Sequence, residues 1–254
     1  MNDTVEKTTD EVILGVDRGF NYKFVILGLV AIVTAIVLFR YGKFIKIIIE
    51  TFPRDVRGIF RLAKTAKALS FHEKKGHSVS DIFDGIVQKH PSKVCINFEG
   101  EEWTFQEVQS YGNQVANYFF SQGYRKGDVV GLFMENRPEY ACIWLGLSKI
   151  GVVIALINSH IRLDPLKHSL EVSDAKGLIF GTELSEAIFE VLTESDVKDR
   201  LSLYTVGSFK KGSHVMQENY PCNTNLLDLE LGRCSTSTPL VIDKPTFMDE
   251  LFYM

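Results

Sequence analysis

The stretch of sequence that decides the fold is Asp128–Asn158, DVVGLFMENRPEYACIWLGLSKIGVVIALIN. It contains an apolar strand, a polar turn, an apolar helix and a second apolar strand in about thirty residues. This order is typical of a parallel sheet, because parallel strands need a crossover connection and are covered on both faces. The stretch therefore predicts an α/β fold with a mainly parallel sheet.

Helix and strand patterns continue to alternate on both sides of this stretch. Ser80 is predicted to cap a short helix, and Thr104 with Glu107 has the spacing of a capping box. Asp164, which precedes a proline, is predicted to start a further helix. The predicted organisation is a tail over 1–22, a transmembrane anchor over 23–40, a basic amphipathic segment over 41–74, an α/β subdomain over 75–206, and an irregular loop with the start of a buried strand over 207–254.

The N-terminal apolar run, Phe24–Phe39, is the candidate membrane anchor. As a helix it spans about 24 Å, against a hydrocarbon core of about 30 Å, and charged residues at its two ends can extend to the interfaces. A cleaved signal peptide and a buried core helix remain as alternatives, although the leader is acidic. The residues assigned to the anchor are Lys23, Phe24, Leu27, Val30, Val33, Val37, Phe39 and Arg40.

Basic residues dominate the segment that follows the anchor. The positive-inside rule therefore places the chain after Arg40 in the cytosol and the tail on the lumenal or extracellular side. Pro53 is predicted to break the segment, and apolar residues then recur at helical spacing opposite the basic ones. This pattern favours a helix on the anionic leaflet, with docking on the globular domain as the alternative. The residues assigned to the membrane surface are Lys43, Lys46, Arg54, Arg57, Arg61 and Lys64.

Composition excludes several classes of protein. The net charge of -4 gives no reason to expect a nucleic-acid partner. The four cysteines form no CxxC pair, which favours reduced thiols over a disulfide framework or a zinc site. The six histidines form no HxxxH or HExxH pair, so no metal site is expected.

The sequence contains no recognisable phosphate-binding or catalytic motif. There is no GxxxxGK[ST] and no GxGxxG, and the hydroxyl-rich loop 233–239, RCSTSTP, lacks the glycines of a phosphate cradle. There is also no local signature of a Ser/His/Asp or Cys/His site. Polar residues that follow strands can lie at a ligand-binding crevice, or they can simply cap a turn and form salt bridges there. A tryptophan can belong to the apolar core or form a platform for a substrate. The residues in question are Asn136, Arg137, Glu139, Trp144, His160 and Arg162.

Three short motifs identify a resemblance: NRPEY at 136–140, WLGL at 144–147 and KIG at 149–151. They resemble the N-terminal part of the fatty acid transport proteins, also called very-long-chain acyl-CoA synthetases, of the adenylate-forming superfamily. The resemblance implies use of ATP, Mg and CoA to convert a long-chain fatty acid to an acyl-adenylate and then to acyl-CoA. It also implies a phosphate loop of the type YTSGTTGLPK after a strand resembling 252–253, so that this loop would lie after Met254.

The resemblance therefore implies an incomplete N-terminal subdomain, preceded by a membrane anchor. We expect a fragment or short isoform of a long-chain fatty acid transport protein and ligase, with no catalytic or cofactor-binding residue of its own and no adenylation activity. Its expected partners are the lipid bilayer of the endoplasmic reticulum or plasma membrane and, for the whole family, a long-chain fatty acid. The alternative is a non-catalytic, membrane-anchored module that pairs with a full-length relative, and homo-oligomerisation is also left open.

Overall fold

The computed structural model describes residues 22–193, 200–207, 221 and 223–253. The chain divides into two compact units, Met1–Lys67 and Ala68–Met254. The predicted tail, up to residue 21, lies outside the described residues.

Helix α1, Tyr22–Lys75, is continuous, although the sequence predicted a break at Pro53. A proline removes one backbone donor and crowds one preceding carbonyl, so its penalty is confined to one turn. Long helical runs on both sides are cooperative and offset that local penalty. Arg57 Nε also donates to the Pro53 carbonyl at 2.9 Å. The helix ends where Gly76 adopts a left-handed φ of 65°.

Helix α2, Val79–Lys89, begins two residues earlier than predicted. Its N-cap is Ser78, and the predicted cap, Ser80, is a buried residue inside the helix. The reason is Asp81, which lies three residues after Ser78 and completes a capping box: Ser78 N donates to Asp81 Oδ2 at 2.9 Å, and Asp81 N donates to Ser78 Oγ at 3.2 Å.

The capping box at Thr104 and Glu107 is confirmed, with Thr104 N donating to Glu107 Oε2 at 2.7 Å. The predicted cap at Asp164 is wrong, since the helix starts at Leu163 with Arg162 at the N-cap. Asp164 instead places a negative charge in the first turn, where the helix dipole favours it.

The second unit contains a two-stranded antiparallel hairpin and a six-stranded parallel sheet. In chain order the elements are β1 Val94–Phe98, β2 Glu101–Thr104, α3 Phe105–Ser121, β3 Val129–Phe133, α4 Pro138–Lys149, β4 Val153–Leu156, α5 Leu163–Val172, β5 Gly177–Gly181, α6 Ser185–Thr193, β6 Ser202–Val206, β7 Asn225–Leu226, α7 Leu227–Leu231 and β8 Phe252–Tyr253. The strand order is β7-β6-β5-β3-β4-β8, which confirms the predicted α/β class.

Strand β3 lies at the centre of this order, paired with β4 on one side and β5 on the other. The chain therefore adds β4 in one direction and then crosses back to add β5, β6 and β7 in the other. The reversal lies between β3 and β5. In open α/β sheets ligands bind at such a reversal, outside the carboxyl ends of the strands.

Alternating side chains of the strands build an apolar cluster on each face of the sheet. In β5, Ile179 belongs to the cluster that includes α3 and α4, and Phe180 belongs to the one that includes α5 and α6. Helices α3 and α4 cross at Gly112 and Gly146. A Cβ atom on Gly146 would lie 2.5 Å from the Gly112 carbonyl oxygen and 2.7 Å from Val115 Cβ, so this crossing requires glycine.

The stretch predicted as an irregular loop, 207–250, contains two short elements, β7 and α7. Leu227 and Leu231 are four residues apart on one helix face, and both are buried. Asp228 Oδ2 in α7 accepts a hydrogen bond from Gly207 N at 2.7 Å, and this contact joins α7 to the end of β6. Five residues carry little periodicity, so the sequence pattern did not indicate the helix.

Candidate functional site

The reversal point between β3 and β5 is closed by side chains of the protein itself. Arg137, the N-cap of α4, donates from Nη1 to Glu183 Oε2 at 2.9 Å and from Nη2 to the Val206 carbonyl at 2.7 Å. The other carboxylate oxygen of Glu183 accepts from Glu135 N at 3.1 Å. These contacts connect the carboxyl ends of β3, β5 and β6 across the crevice.

The Glu183 carboxylate lies directly over Gly181, the last residue of β5. A Cβ atom at Gly181 would collide with both carboxylate oxygens of Glu183. The backbone of Gly181 has no unusual torsion, so a larger residue there would displace the Glu183 carboxylate rather than strain the backbone.

Further polar groups lie beneath the Arg137–Glu183 pair. Glu139 is 2% exposed, and its Oε2 atom is 3.9 Å from Arg137 Nε. Burial raises the pKa of Tyr111 well above its usual value, and the nearby charges of Asp228 and Glu139 raise it further. We name Arg137, Tyr111, Glu139, Glu183 and Asp228 the edge cluster. It contains three carboxylates and one guanidinium.

The edge cluster does not fit a nucleotide phosphate. A phosphate needs free backbone N–H groups and cations, but the N–H groups of Glu135 and Gly207 already donate to carboxylates, and Arg137 is paired. The remaining carboxylates would repel the anion. Among the described residues, no group of three or more His, Cys, Asp or Glu side chains could hold a metal ion such as Mg. The backbone donors of Glu135 and Gly207 at this edge are thus taken up by carboxylates of the protein.

The structure places the other residues singled out from the sequence in separate local contacts. His160 N donates to Asn158 Oδ1 at 2.9 Å, and Arg162 Nη1 donates to the Ser159 carbonyl at 2.6 Å, so both stabilise their own turn after β4. Trp144 packs edge-on against Phe252, with ring centroids 6.4 Å apart. Asn136 is exposed on the turn after β3.

The hydroxyl-rich loop is fastened to α3 by two asparagines. Asn113 Nδ2 donates to the Thr236 carbonyl at 2.7 Å, and Asn117 Nδ2 donates to the carbonyls of Ser235 and Ser237 at 2.9 Å each. The loop thus presents its carbonyl oxygens, rather than its N–H groups, to these two asparagine side chains. Two asparagines four residues apart on a largely buried helix were the sequence signal for this contact.

A groove of about 460 Å³ lies at the carboxyl ends of β4 and β8. Its walls are mostly apolar, and its lining includes Ile157, Asn158, Ile161, His168, Val172 and Tyr253. Strand β8 forms the edge of the sheet among the described residues, and Phe252 and Tyr253 are 40% and 44% exposed. The sequence did not indicate this groove, because Tyr253 lies about 80 positions after the other lining residues in the chain.

Helix α1 is long and apolar enough, by length and composition, to cross a membrane. None of its residues is buried. The core helix of a soluble protein would be mostly buried, so this exposure weighs against the core-helix alternative. The residues assigned to the anchor and to the membrane surface are all exposed on this helix.

Residues 83–230 match the family model described as "AMP-binding enzyme". The chain is 36% identical over 217 residues to long-chain fatty acid transport protein 1 of Homo sapiens, and 37% identical over 218 residues to the protein of that name in Bos taurus. Each match covers 84% of this chain and 32% of the relative. The chain thus spans about a third of the length of these curated relatives.

The fold is also similar to that of a solved fatty acyl CoA synthetase from Mycobacterium tuberculosis. The TM-score is 0.57 with 20% sequence identity, and the match covers 71% of this chain and 32% of that chain. This similarity confirms the expected fold of the α/β unit, a parallel-sheet subdomain like those of adenylate-forming enzymes. The apolar helix α1 precedes that unit in the chain.

Proposed function

Because the chain belongs to the AMP-binding enzyme family, we propose that it is the membrane-anchored N-terminal part of a long-chain fatty acid transport protein with fatty acid–CoA ligase activity. The observation that carries the proposal is the identity of 36% to the human transport protein across 84% of this chain. That match extends beyond the α/β core into the helix α1 region, because the second unit alone is shorter than 217 residues.

In this proposal the chain contributes a scaffold rather than reacting groups. When bound to the whole protein, ATP would supply the adenylate that activates the fatty acid carboxylate for transfer to CoA. The residues of this chain form and stabilise the sheet. The edge cluster joins β3, β5 and β6, and β8 pairs with β4 through Ile154 and Phe252. The closed crevice supports placing adenylation outside the described residues.

The anchor is proposed to cross the membrane once, with the α/β unit in the cytosol. Its exposed apolar helix and the basic flank after Arg40 support this orientation. The membrane is that of the endoplasmic reticulum or the plasma membrane. Protease added to intact microsomes should digest the α/β unit. Full protection of that unit until detergent is added would refute the orientation.

A chimera tests whether the scaffold belongs to a long-chain ligase. The matched 217 residues of human long-chain fatty acid transport protein 1 would be replaced by those of this chain. We expect the chimera to retain ATP-dependent palmitoyl-CoA formation and palmitate uptake, each within about tenfold of the human protein assayed in parallel, a loss of about 1.4 kcal/mol at most. A chimera that is folded and membrane-bound but has neither activity would contradict the proposal.

A second candidate function is a non-catalytic module that pairs with a full-length relative or with itself. The observation that favours it is the exposed edge of β8 beside the 460 Å³ groove, since such an edge can accept a further strand. Co-expression of this chain with the human relative, each with a different tag, separates the two. A stable one-to-one complex without change in ligase rate favours the module, and its absence favours the scaffold.

A further inference from the structure

The segment of helix α1 after the anchor carries its charges on one side. At 3.6 residues per turn, six basic residues fall within about 80° of arc around the helix. They are Lys43, Lys46, Arg54, Arg57, Arg61 and Lys64. Between residues 41 and 67 there are seven basic and two acidic residues. The acidic ones, Glu50 and Asp55, pair with neighbouring basic side chains of the same helix.

The opposite side of the same segment is apolar and exposed. Ile48, Phe52 and Ile59 are 50%, 63% and 66% exposed, and they share an arc centred about 180° from the basic one. An apolar strip of this length is unfavourable in water and marks an interaction surface. If the helix continued straight out of a bilayer, the strip would extend about 40 Å into solvent.

We infer that residues 41–67 lie on the surface of a bilayer containing anionic phospholipid, with Ile48, Phe52 and Ile59 in the acyl–headgroup boundary. This inference rests on the proposed anchor, which holds the segment within reach of the membrane. A helix with a wide apolar face, a basic polar face and little acidic charge binds an anionic interface through both faces, because lysine and arginine side chains extend to the phosphates.

Charge selects the lipid surface over a second copy of this chain. Two parallel copies of the segment would place two strongly basic helices side by side, and the segment has no unpaired acidic residue to offset the repulsion. Anionic headgroups supply the missing counter-charge. The anchor ends at Arg40 and the segment begins at Tyr41, so the inference requires helix α1 to bend between them when the chain is bound to a membrane.

The test uses the full chain with an environment-sensitive fluorescent amino acid at one position. It is reconstituted in phosphatidylcholine vesicles with or without phosphatidylserine, and nitroxide-labelled lipid is the quencher. We expect a probe in place of Ile59 to be quenched by the lipid in the anionic vesicles, more weakly in the neutral ones, and less at high salt. A probe in place of Arg61 should be quenched less than the probe at Ile59.

A matched pair of variants isolates the charge effect. Arg61→Gln with Lys64→Gln removes two positive charges from the segment, and Lys89→Gln with Lys93→Gln removes two exposed ones from the α/β unit. The first pair should lower the bound-to-detached ratio of the Ile59 probe about 25-fold, or about fivefold per charge. The second pair should leave it unchanged. Equal effects of the two pairs would overturn the inference.

A probe in place of Val30 separates this inference from the proposed anchor. If the lipid quenches Val30 but not Ile59 in anionic vesicles, the anchor stands and the surface helix is wrong. If neither is quenched, the anchor itself fails. An Ile59 probe that leaves water without being quenched by lipid would mean that protein covers the strip, either the α/β unit or a second copy, and would also overturn the inference.

Discussion

Arg137 Nη1 and Glu183 Oε2 are 2.9 Å apart and bridge the point at which the sheet reverses its direction of winding. The side chains are 14% and 27% exposed, so Arg137 is largely removed from solvent and Glu183 is partly so. The crevice that binds ligands in many α/β proteins is thus occupied here by an internal ion pair, which stabilises the ends of three strands.

The first prediction concerns this ion pair. Glu183→Gln keeps the shape of the side chain but removes the carboxylate that accepts from Arg137 Nη1, so the more distant Glu139, 3.9 Å from Arg137 Nε, is left as a counter-charge. We expect it to lower the free energy of unfolding by about 2 kcal/mol, the usual contribution of a hydrogen bond to a charged group. Urea unfolding in detergent micelles, followed by tryptophan fluorescence, measures the change, because both tryptophans lie in the α/β unit.

Glu186→Gln is the control for that prediction. Glu186 is exposed in the first turn of α6, three residues after Glu183, and its substitution should change stability by less than about 0.5 kcal/mol. Equal effects of the two substitutions would show that the pair with Arg137 does not stabilise the sheet.

The second prediction concerns the crossing of α3 and α4. Gly146→Ala places a methyl group 2.5 Å from the Gly112 carbonyl oxygen, so the helices must separate. We expect a loss of about 1–3 kcal/mol in the free energy of unfolding, as for other overpacked cores. The control is Gly85→Ala in α2, where no atom lies within 4 Å of the added methyl group.

The control should instead stabilise the protein by up to about 1 kcal/mol, because alanine loses less conformational freedom in a helix than glycine. Chemical unfolding of the two variants in parallel gives the comparison. A neutral Gly146→Ala would mean that the helices do not pack as closely as the structure describes.

The third prediction concerns the pH dependence of the segment that leads into β8. A hydrogen bond from Lys126 Nζ, at 2.8 Å, lowers the pKa of Asp249 below its usual 3.8, and the same contact raises the pKa of Lys126 above 10.5. A carboxyl group whose pKa is lowered by folding stabilises the fold at pH values above 3.8. This contribution is lost as the pH falls through the pKa of the folded state. An amine whose pKa is raised by folding stabilises the fold at pH values below 10.5. This contribution is lost as the pH rises through the higher pKa of the folded state.

Asp249→Asn should therefore destabilise the protein at neutral pH, and the difference from the unsubstituted chain should shrink as the pH falls below 3.8. Asp243→Asn is the matched control, since Asp243 is 3.5 Å from the same Lys126 Nζ but is 78% exposed. It should have a smaller effect at every pH. A difference for Asp249→Asn that grows on acidification would contradict the assigned direction of the pKa shift.

The sequence predicted the fold class because buried parallel strands and amphipathic helices have distinct apolar periods, as in Val129–Phe133 and Phe105–Ser121. Local capping signals were less reliable. The sequence predicts the Thr104–Glu107 box correctly, but its prediction of Ser80 as a helix cap is wrong, although Ser78 and Asp81 have the required spacing. Ser78 and Ser80 are both buried, so the capping box that Ser78 forms with Asp81 decides between them.

The edge cluster was only partly predictable. Arg137 and Glu139 were singled out because they follow a strand, but Glu183 and Asp228 were not. They come from segments 46 and 91 positions further along the chain than Arg137, and only the strand order brings them to one edge. Strand order is a non-local property, so one sequence could not assign the partner of Arg137.

The central claim is that this chain supplies an anchored scaffold and that adenylation depends on groups outside its described residues. ATP–pyrophosphate exchange tests it most directly. The 254-residue chain, purified and reconstituted in vesicles, is incubated with palmitate, ATP, Mg and labelled pyrophosphate, alongside human long-chain fatty acid transport protein 1. We expect no incorporation of label into ATP above the level of empty vesicles. Palmitate-dependent exchange by this chain alone would contradict the account.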